Sequence, residues 1–361
     1  VNLLFLTALL ALNAHAVDAT LAQEVVPQDE DQAKAQVTQL ITEQVKAEAQ
    51  QSGKAVRDAH AKAHGCVRAN FIVNEKLPKE LAQGVFSEGK TYPAWIRFSN
   101  GSGKSQNDKV GDGRGFAIKL IGVAGERVDS SEKSTQDFLM INHPTFFVRN
   151  ASDYVEFSKA SSKGNPLPFF FPSYNPINWR VHELNIAKTI QGKKVGNLLA
   201  NQYWTMTPYL LGSGRAAKFS VRPCAPVSNK AINPESPNFL RETLSASLAK
   251  QSACFEFMVQ TQTDSKAMPI EDPTIEWSEK LSPFVKVATI MISAQHFEGR
   301  EQQTFCENLS LNPWHSLKAH RPLGGINRVR RQVYETISTL RHELNHESLN
   351  EPTGKEQFSE N

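Results

Sequence analysis

The chain has 361 residues with 19 prolines and 20 glycines, enough for one large domain or two ordinary ones. Its formal net charge of +3 is spread over mixed-sign sequence without a basic block, which excludes nucleic acid or an anionic membrane as an indicated partner and favours a small molecule.

From the N-terminus, the run LLFLTALLALNAHA closes on Ala14-His15-Ala16, a small-x-small site ahead of a polar stretch. This pattern predicts a secretory signal peptide over residues 1–16, although no basic segment precedes it; the alternatives are an N-terminal anchor or a buried helix. The apolar run is shorter than the roughly 20 residues that span a membrane. Export to a periplasm or the exterior is the localisation it implies. The four cysteines, Cys66, Cys224, Cys254 and Cys306, are compatible with one or two disulfides or with buried free thiols, and none has metal-site spacing.

Residues 31–51 carry Val37, Leu40, Ile41 and Val45 at helical spacing, part of an N-terminal helical arm over 17–50. After SGKAVRDAHAKAHGCVRANFIV turns from polar to β-type, strands are predicted at 94–99, 115–121, 138–141, 217–221, 255–261 and 285–293. KGNPLPFFFPSYNPINW reads as an ordered loop with an apolar anchor. A helix is predicted from Asn327, its N-cap, with Ile326, Val329, Val333, Ile337 and Leu340 as its apolar stripe. The main domain covers 51–346 and a polar, frayed tail 347–361. No repeat or linker divides it, so the fold class is α+β in a single domain.

Two chemistries overlap on the last helix. Arg330 and Tyr334 are one turn apart and Arg341 two turns further on, so all three project from one side. A guanidinium that reaches a phenol oxygen favours the phenolate, a hard anionic ligand suited to ferric iron. The same helix ends in His342-Glu343-Leu344-Asn345-His346, the spacing of a zinc-hydrolase helix, which still needs a third ligand.

Segments elsewhere favour the first chemistry. RDAHAKAHG (57–65), WIRFSNGSG (95–103), DGRGFAIKL (112–120), DFLMINHPTFFVRN (137–150) and NPWHSLKAHRPLGGINRVRRQVY (312–334) resemble, in order and style, the haem catalase superfamily, and most nearly its short, catalase-related peroxidase branch. The resemblance implies a catalase-like fold, an antiparallel β-barrel core surrounded by helices, and haem b as cofactor. By position it makes His60 and Asn142 the catalytic pair and Tyr334 the ligand of the haem iron, with Arg330 as its charge partner. Arg57, Arg97 and Arg341 match arginines that meet the haem propionates, Ser99 follows the family's RFS, and Phe146 and Phe147 match an aromatic wall of the distal pocket. His64 and His143 receive no definite role.

The implied activity is reduction of hydrogen peroxide or organic hydroperoxides through a ferryl intermediate, protecting against peroxide stress, with an unidentified reducing substrate. A homo-oligomer stays open, and no NADPH is expected, because the C-terminal regions of large catalases have no counterpart here. Ala59 departs from the Val of typical catalases and the Thr of the allene oxide synthase branch, and ETISTLRHELN replaces the usual proline-containing run after the tyrosine. The alternatives weighed are a lipid-hydroperoxide-converting enzyme resembling allene oxide synthase, the zinc hydrolase, and a non-catalytic haem carrier.

Overall fold

The structure, a computed structural model, describes residues 20–129 and 134–359; the expected signal peptide lies outside the described residues. Strands form where apolar side chains recur at every second position. In β1 (Ala63–Val73) Val67, Ala69, Phe71 and Val73 all enter the core, as do Tyr92, Ala94, Ile96 and Phe98 of β2 (Thr91–Asn100) and Phe116, Ile118 and Leu120 of β3 (Arg114–Ile121). The pattern continues through β4 (Thr135–Ile141), β7 (Ala216–Pro223), β8 (Ala253–Thr261) and β9 (Val285–Ile292), while β5 (Tyr203–Trp204) and β6 (Tyr209–Leu210) are two-residue strands. All pairings are antiparallel, in the order β5-β4-β3-β2-β1-β9-β8-β7-β6, and a further pairing of β5 with β7 closes the sheet into an eight-stranded barrel with β6 added outside the ring. The antiparallel barrel expected from the sequence is therefore present.

Helices cover this barrel. α1 (Glu30–Ser52) packs Ala33, Val37, Ile41 and Val45 against α2 (Ala151–Ser162) and against Val329, Val333 and Ile337 of α7 (Gly325–Asn345). Between them lie α3 (Leu167–Phe170), α4 (Val181–Gly192), α5 (Phe239–Leu248) and α6 (Arg300–Asn308). Disulfides join Cys66 of β1 to Cys306 of α6, and Cys224 to Cys254.

Two local expectations are corrected. Asn327 is not an N-cap: α7 begins at Gly325 behind Gly324 (φ 87°), and Asn327 is buried inside its first turn because its amide bonds to the barrel. The tail does not fray. Glu351 reaches the buried Lys119 at 2.6 Å, Glu356 accepts from Trp95 Nε1 at 3.1 Å, and Phe358 packs on Trp95 and Phe305. Near the end of α7 the His342 ring is buried and lies 2.9 Å from the carbonyl of Asn308 at the end of α6, while Glu343, Leu344 and His346 are exposed.

Inside the barrel sits His320, wrapped by Phe86, Phe138 and Phe219 and accepting a hydrogen bond from Val85 N at 3.0 Å. Only a neutral imidazole can accept that bond. Burial lowers its pKa from 6.5 to about 4, and His60, His64 and His143 are also lowered to about 4, in each case mainly by burial. A histidine held neutral by the fold stabilises it above the unfolded pKa and loses that contribution as pH falls toward the folded one. For His320 this amounts to roughly 3 kcal/mol. The melting temperature should therefore hold above about pH 6.5 and fall steeply toward pH 4; a flat profile across that window in calorimetry would contradict the buried neutral histidines.

Candidate active site

The register of three strands builds the floor of the main cavity. Arg97 pairs with Ala117 and Ser99 with Gly115, while Ala117 faces Leu139 and Gly115 faces Ile141 across the next ladder. These residues alternate with the core positions, so they share the outward face of β2, β3 and β4. Gly115 and Ala117 keep that floor low. A cavity open to solvent lies between it and α7, lined also by Arg57, Asp58, His60, Met206, Leu309, Leu311, Arg330, Tyr334, Ile337 and Arg341.

His60 reaches this cavity from the segment before β1. Its backbone is left-handed (φ 60°) and its N–H bonds to Gly101 O at 3.0 Å, so the turn after β2 sets its position. Nδ1 lies 3.0 Å from Ser99 Oγ. A Cβ on Gly115 would sit 2.4 Å from Ser99 Oγ and 2.7 Å from His60 Nδ1, so glycine is required for that approach. Burial, then the charges of Arg97 and Arg330, lowers the His60 pKa to about 4.

On α7, Arg330 Nη2 donates to Tyr334 Oη at 3.3 Å, and its Nη1 lies 3.2 Å from Asn327 Oδ1 and 3.4 Å from Thr207 Oγ1. Burial opposes the Arg330 charge, but Tyr334 and Tyr209 hold its pKa above the ordinary value. Met206, in a left-handed conformation (φ 54°), lines the cavity from the turn that carries Thr207. Backbone strain in two non-glycine residues of one cavity fits a site that the surrounding structure over-determines.

At one end, Arg57, Arg97 and Arg341 converge on Glu307. Arg57 lies 3.2 Å and Arg97 3.8 Å from its carboxylate, and Arg341 donates to its backbone carbonyl at 2.5 Å. Arg57 also donates to Leu309 O at 2.8 Å. Arg97 Nε is buried with no partner. Burial first, and then the neighbouring charge of Arg57, lowers Arg97 well below the ordinary arginine range and Arg341 to about 9. For Glu307 burial acts upward, but Arg57, Arg97 and Arg341 outweigh it and hold the carboxyl low. Two buried guanidiniums, Arg97 and Arg341, and the half-buried Arg57 facing one carboxylate suit a ligand that brings further carboxylates.

Seven of the ten residues expected at the site thus line one cavity: Arg57, His60, Arg97, Ser99, Arg330, Tyr334 and Arg341. Asn142 follows Ile141 and is not in the lining. Its Oδ1 accepts from Arg114 N at 2.8 Å, while its buried Nδ2 has no partner. Phe146 and Phe147 point elsewhere, into an aromatic cluster with Tyr154, Phe157 and Phe169. His64 is buried against Asn100 Oδ1 at 2.8 Å, outside the cavity, and His143 is likewise absent from its lining.

The zinc arrangement fails on geometry. His342 Nδ1 and Nε2 lie 2.7 and 2.9 Å from the carbonyls of Ser338 and Asn308, so neither nitrogen is free for a metal. Among the described residues no group of three His, Cys, Asp or Glu side chains could hold one.

Sequence reasoning missed Asp58, Gly115, Met206 and Glu307. A glycine inside a strand was the one available signal. Asp58 lines the cavity, and burial raises its carboxyl to about 6.

A family model described as Catalase matches residues 24–174. A catalase-related peroxidase of Mycolicibacterium paratuberculosis is 26% identical over 226 residues, covering 58% of this chain and 66% of that protein. Among solved structures, a fungal catalase superposes with a TM-score of 0.62 at 19% identity over 82% of this chain and 60% of its own. Catalase A from Saccharomyces cerevisiae gives 0.62 at 17% identity over 99% of this chain and 72% of its own. The chain thus spans about two thirds or less of the first of these relatives. Residues 24–174 thus match the catalase family model, and the chain shares the catalase fold.

Proposed function

We propose that this chain is a haem-dependent, peroxide-decomposing enzyme of the catalase-related peroxidase type. The observation that carries the reading is the joint placement of the His60–Ser99 pair, the Arg330–Tyr334 pair and the arginines Arg57, Arg97 and Arg341 around one cavity. The residues fit a haem b. Tyr334 would bind the iron with Arg330 as its charge partner, Gly115 and Ala117 leave room for a flat ring, and Arg57, Arg97 and Arg341 would take its two carboxylates, with the unpartnered Arg97 Nε among the donors.

When bound, haem iron supplies the two-electron redox chemistry. The remaining work falls to this chain's side chains. With Nδ1 held by Ser99, His60 Nε2 takes the proton from the inner peroxide oxygen and returns it to the outer one, so that the O–O bond breaks and water or an alcohol leaves. Asn142 Nδ2, buried and unpartnered, supports a role as a donor that does not titrate. Two electrons then come from an organic donor, or from a second peroxide. The two disulfides support export to an oxidising compartment, periplasmic or extracellular, and protection against peroxide there.

Stopped-flow absorption of the haem-loaded protein mixed with peroxide tests the reading. His60→Ala should keep haem and slow peroxide cleavage by roughly 10²–10⁴-fold; an unchanged rate would reject His60 as the base. Because its pKa lies at about 4, the wild-type rate should stay level down to about pH 5 and fall below it, as His60 takes up a proton. Gly115→Ala should act on the same step, displacing His60 and Ser99, with a loss on the order of a hundredfold at full haem content. Full activity in that variant would show that the close approach at Gly115 is not needed.

A further inference from the structure

Resting on the haem reading, we infer that Glu307 is a resident counter-ion for the propionate-binding arginines, one that keeps the site formed in the haem-free chain and yields much of its stabilising role to the haem carboxylates on binding. The arginines come from three separate elements: Arg57 precedes β1, Arg97 lies in β2 and Arg341 in α7. All three line the cavity, and Glu307 does not. It stands behind them, in the wall of a second, smaller hollow that also touches Cys66, Arg241, Gln302 and Cys306.

Glu307 acts through both its side chain and its backbone. The carboxylate faces Arg57 and Arg97, and the carbonyl accepts from Arg57 at 3.1 Å and from Arg341 at 2.5 Å. The Cys66–Cys306 disulfide ties the preceding residue to β1, so these acceptors are anchored to the same barrel that carries Arg97. Without a carboxylate, the guanidiniums of Arg57, Arg97 and Arg341 would repel one another across the join between helix and barrel. Glu307 offsets one of these charges, and with Arg241 and Lys54 also acting on the cluster it stays cationic and suited to further carboxylates. Since Glu307 approaches from behind, it does not occupy the cavity side where those carboxylates would bind.

The inference makes Glu307 and the haem carboxylates partly redundant. The test is the melting temperature of Glu307→Gln in three forms: haem-free, loaded with haem, and loaded with haem dimethyl ester, which lacks the carboxylates. The variant should melt several degrees below wild type when haem-free or ester-loaded, and much closer to wild type with haem. Haem transfer to an excess of apomyoglobin should slow on the order of tenfold, the kinetic side of the same cycle. Recovery of E307Q only when haem is present during folding would be the same result in stronger form, and Glu307→Asp, which retains the charge, should stay near wild type in all three states. Equal destabilisation of the haem-free and haem-loaded forms, or faster haem loss, would overturn the inference and leave the haem reading standing. Failure of the wild-type protein to take up haem would overturn both.

Discussion

The site depends on how α7 is fixed to the barrel, and Asn327 is the fastening. Its amide nitrogen donates to Pro208 O and Leu323 O, both at 2.9 Å, while its Oδ1 meets Thr207 Oγ1 at 3.1 Å and Arg330 Nη1 at 3.2 Å. Its backbone carbonyl accepts from Trp314 Nε1 at 2.7 Å. Every polar atom of a fully buried side chain is thus used in setting the helix against the turn around Thr207, and a buried network satisfied in this way is rigid. From there helical geometry does the rest: Arg330, Tyr334, Ile337 and Arg341 follow at intervals of three or four residues and present one face to the cavity. The adjacent stripe, Val329, Val333 and Ile337, is taken by α1 and α2, which leaves the helix no freedom to turn.

The second constraint is electrostatic. Burial first, and then the charges of Arg97, Arg330 and Arg57, keep His60 neutral well below its ordinary pKa. On the proposed reading, arginines that would take carboxylates thereby also hold His60 in its proton-accepting form. The cost of desolvating three guanidiniums is offset by the segment 306–309, whose carbonyls and Glu307 carboxylate meet Arg57 and Arg341, and that segment is anchored by a disulfide. The binding site and the stability of the fold therefore share residues.

Much of this was legible in the sequence where the information is local. Runs of β-branched and aromatic residues located six of the barrel strands, and helical spacing placed Arg330, Tyr334 and Arg341 on one face. His60 and Ser99, 39 residues apart, entered the site separately through the family resemblance, and their contact was not foreseen, since nothing local shows that the turn after β2 meets the segment before β1. Glu307 and Met206 carry no local signal, because each is brought to the site by tertiary packing. Phe146 and Phe147 show the reverse failure. The motif around them is present, but the aromatic side chains of α2 and α3 draw both rings into a separate cluster. Asn327 was read as a cap because its type favours caps, and burial against the barrel overrode that preference. The tail looked polar and free, yet its carboxylates have partners on the outward face of the barrel, Lys119 and Trp95, that a one-dimensional pattern does not reveal.

The central claim is that the cavity between α7 and the barrel binds haem through Tyr334. Resonance Raman spectroscopy of haem-reconstituted protein reads that bond directly, with Tyr154 and Tyr209, the other buried tyrosines close to Arg330, as controls. The account predicts iron–phenolate vibrations in the wild type, in Tyr154→Phe and in Tyr209→Phe, and their loss in Tyr334→Phe. Phenolate vibrations that persist in Tyr334→Phe would contradict it.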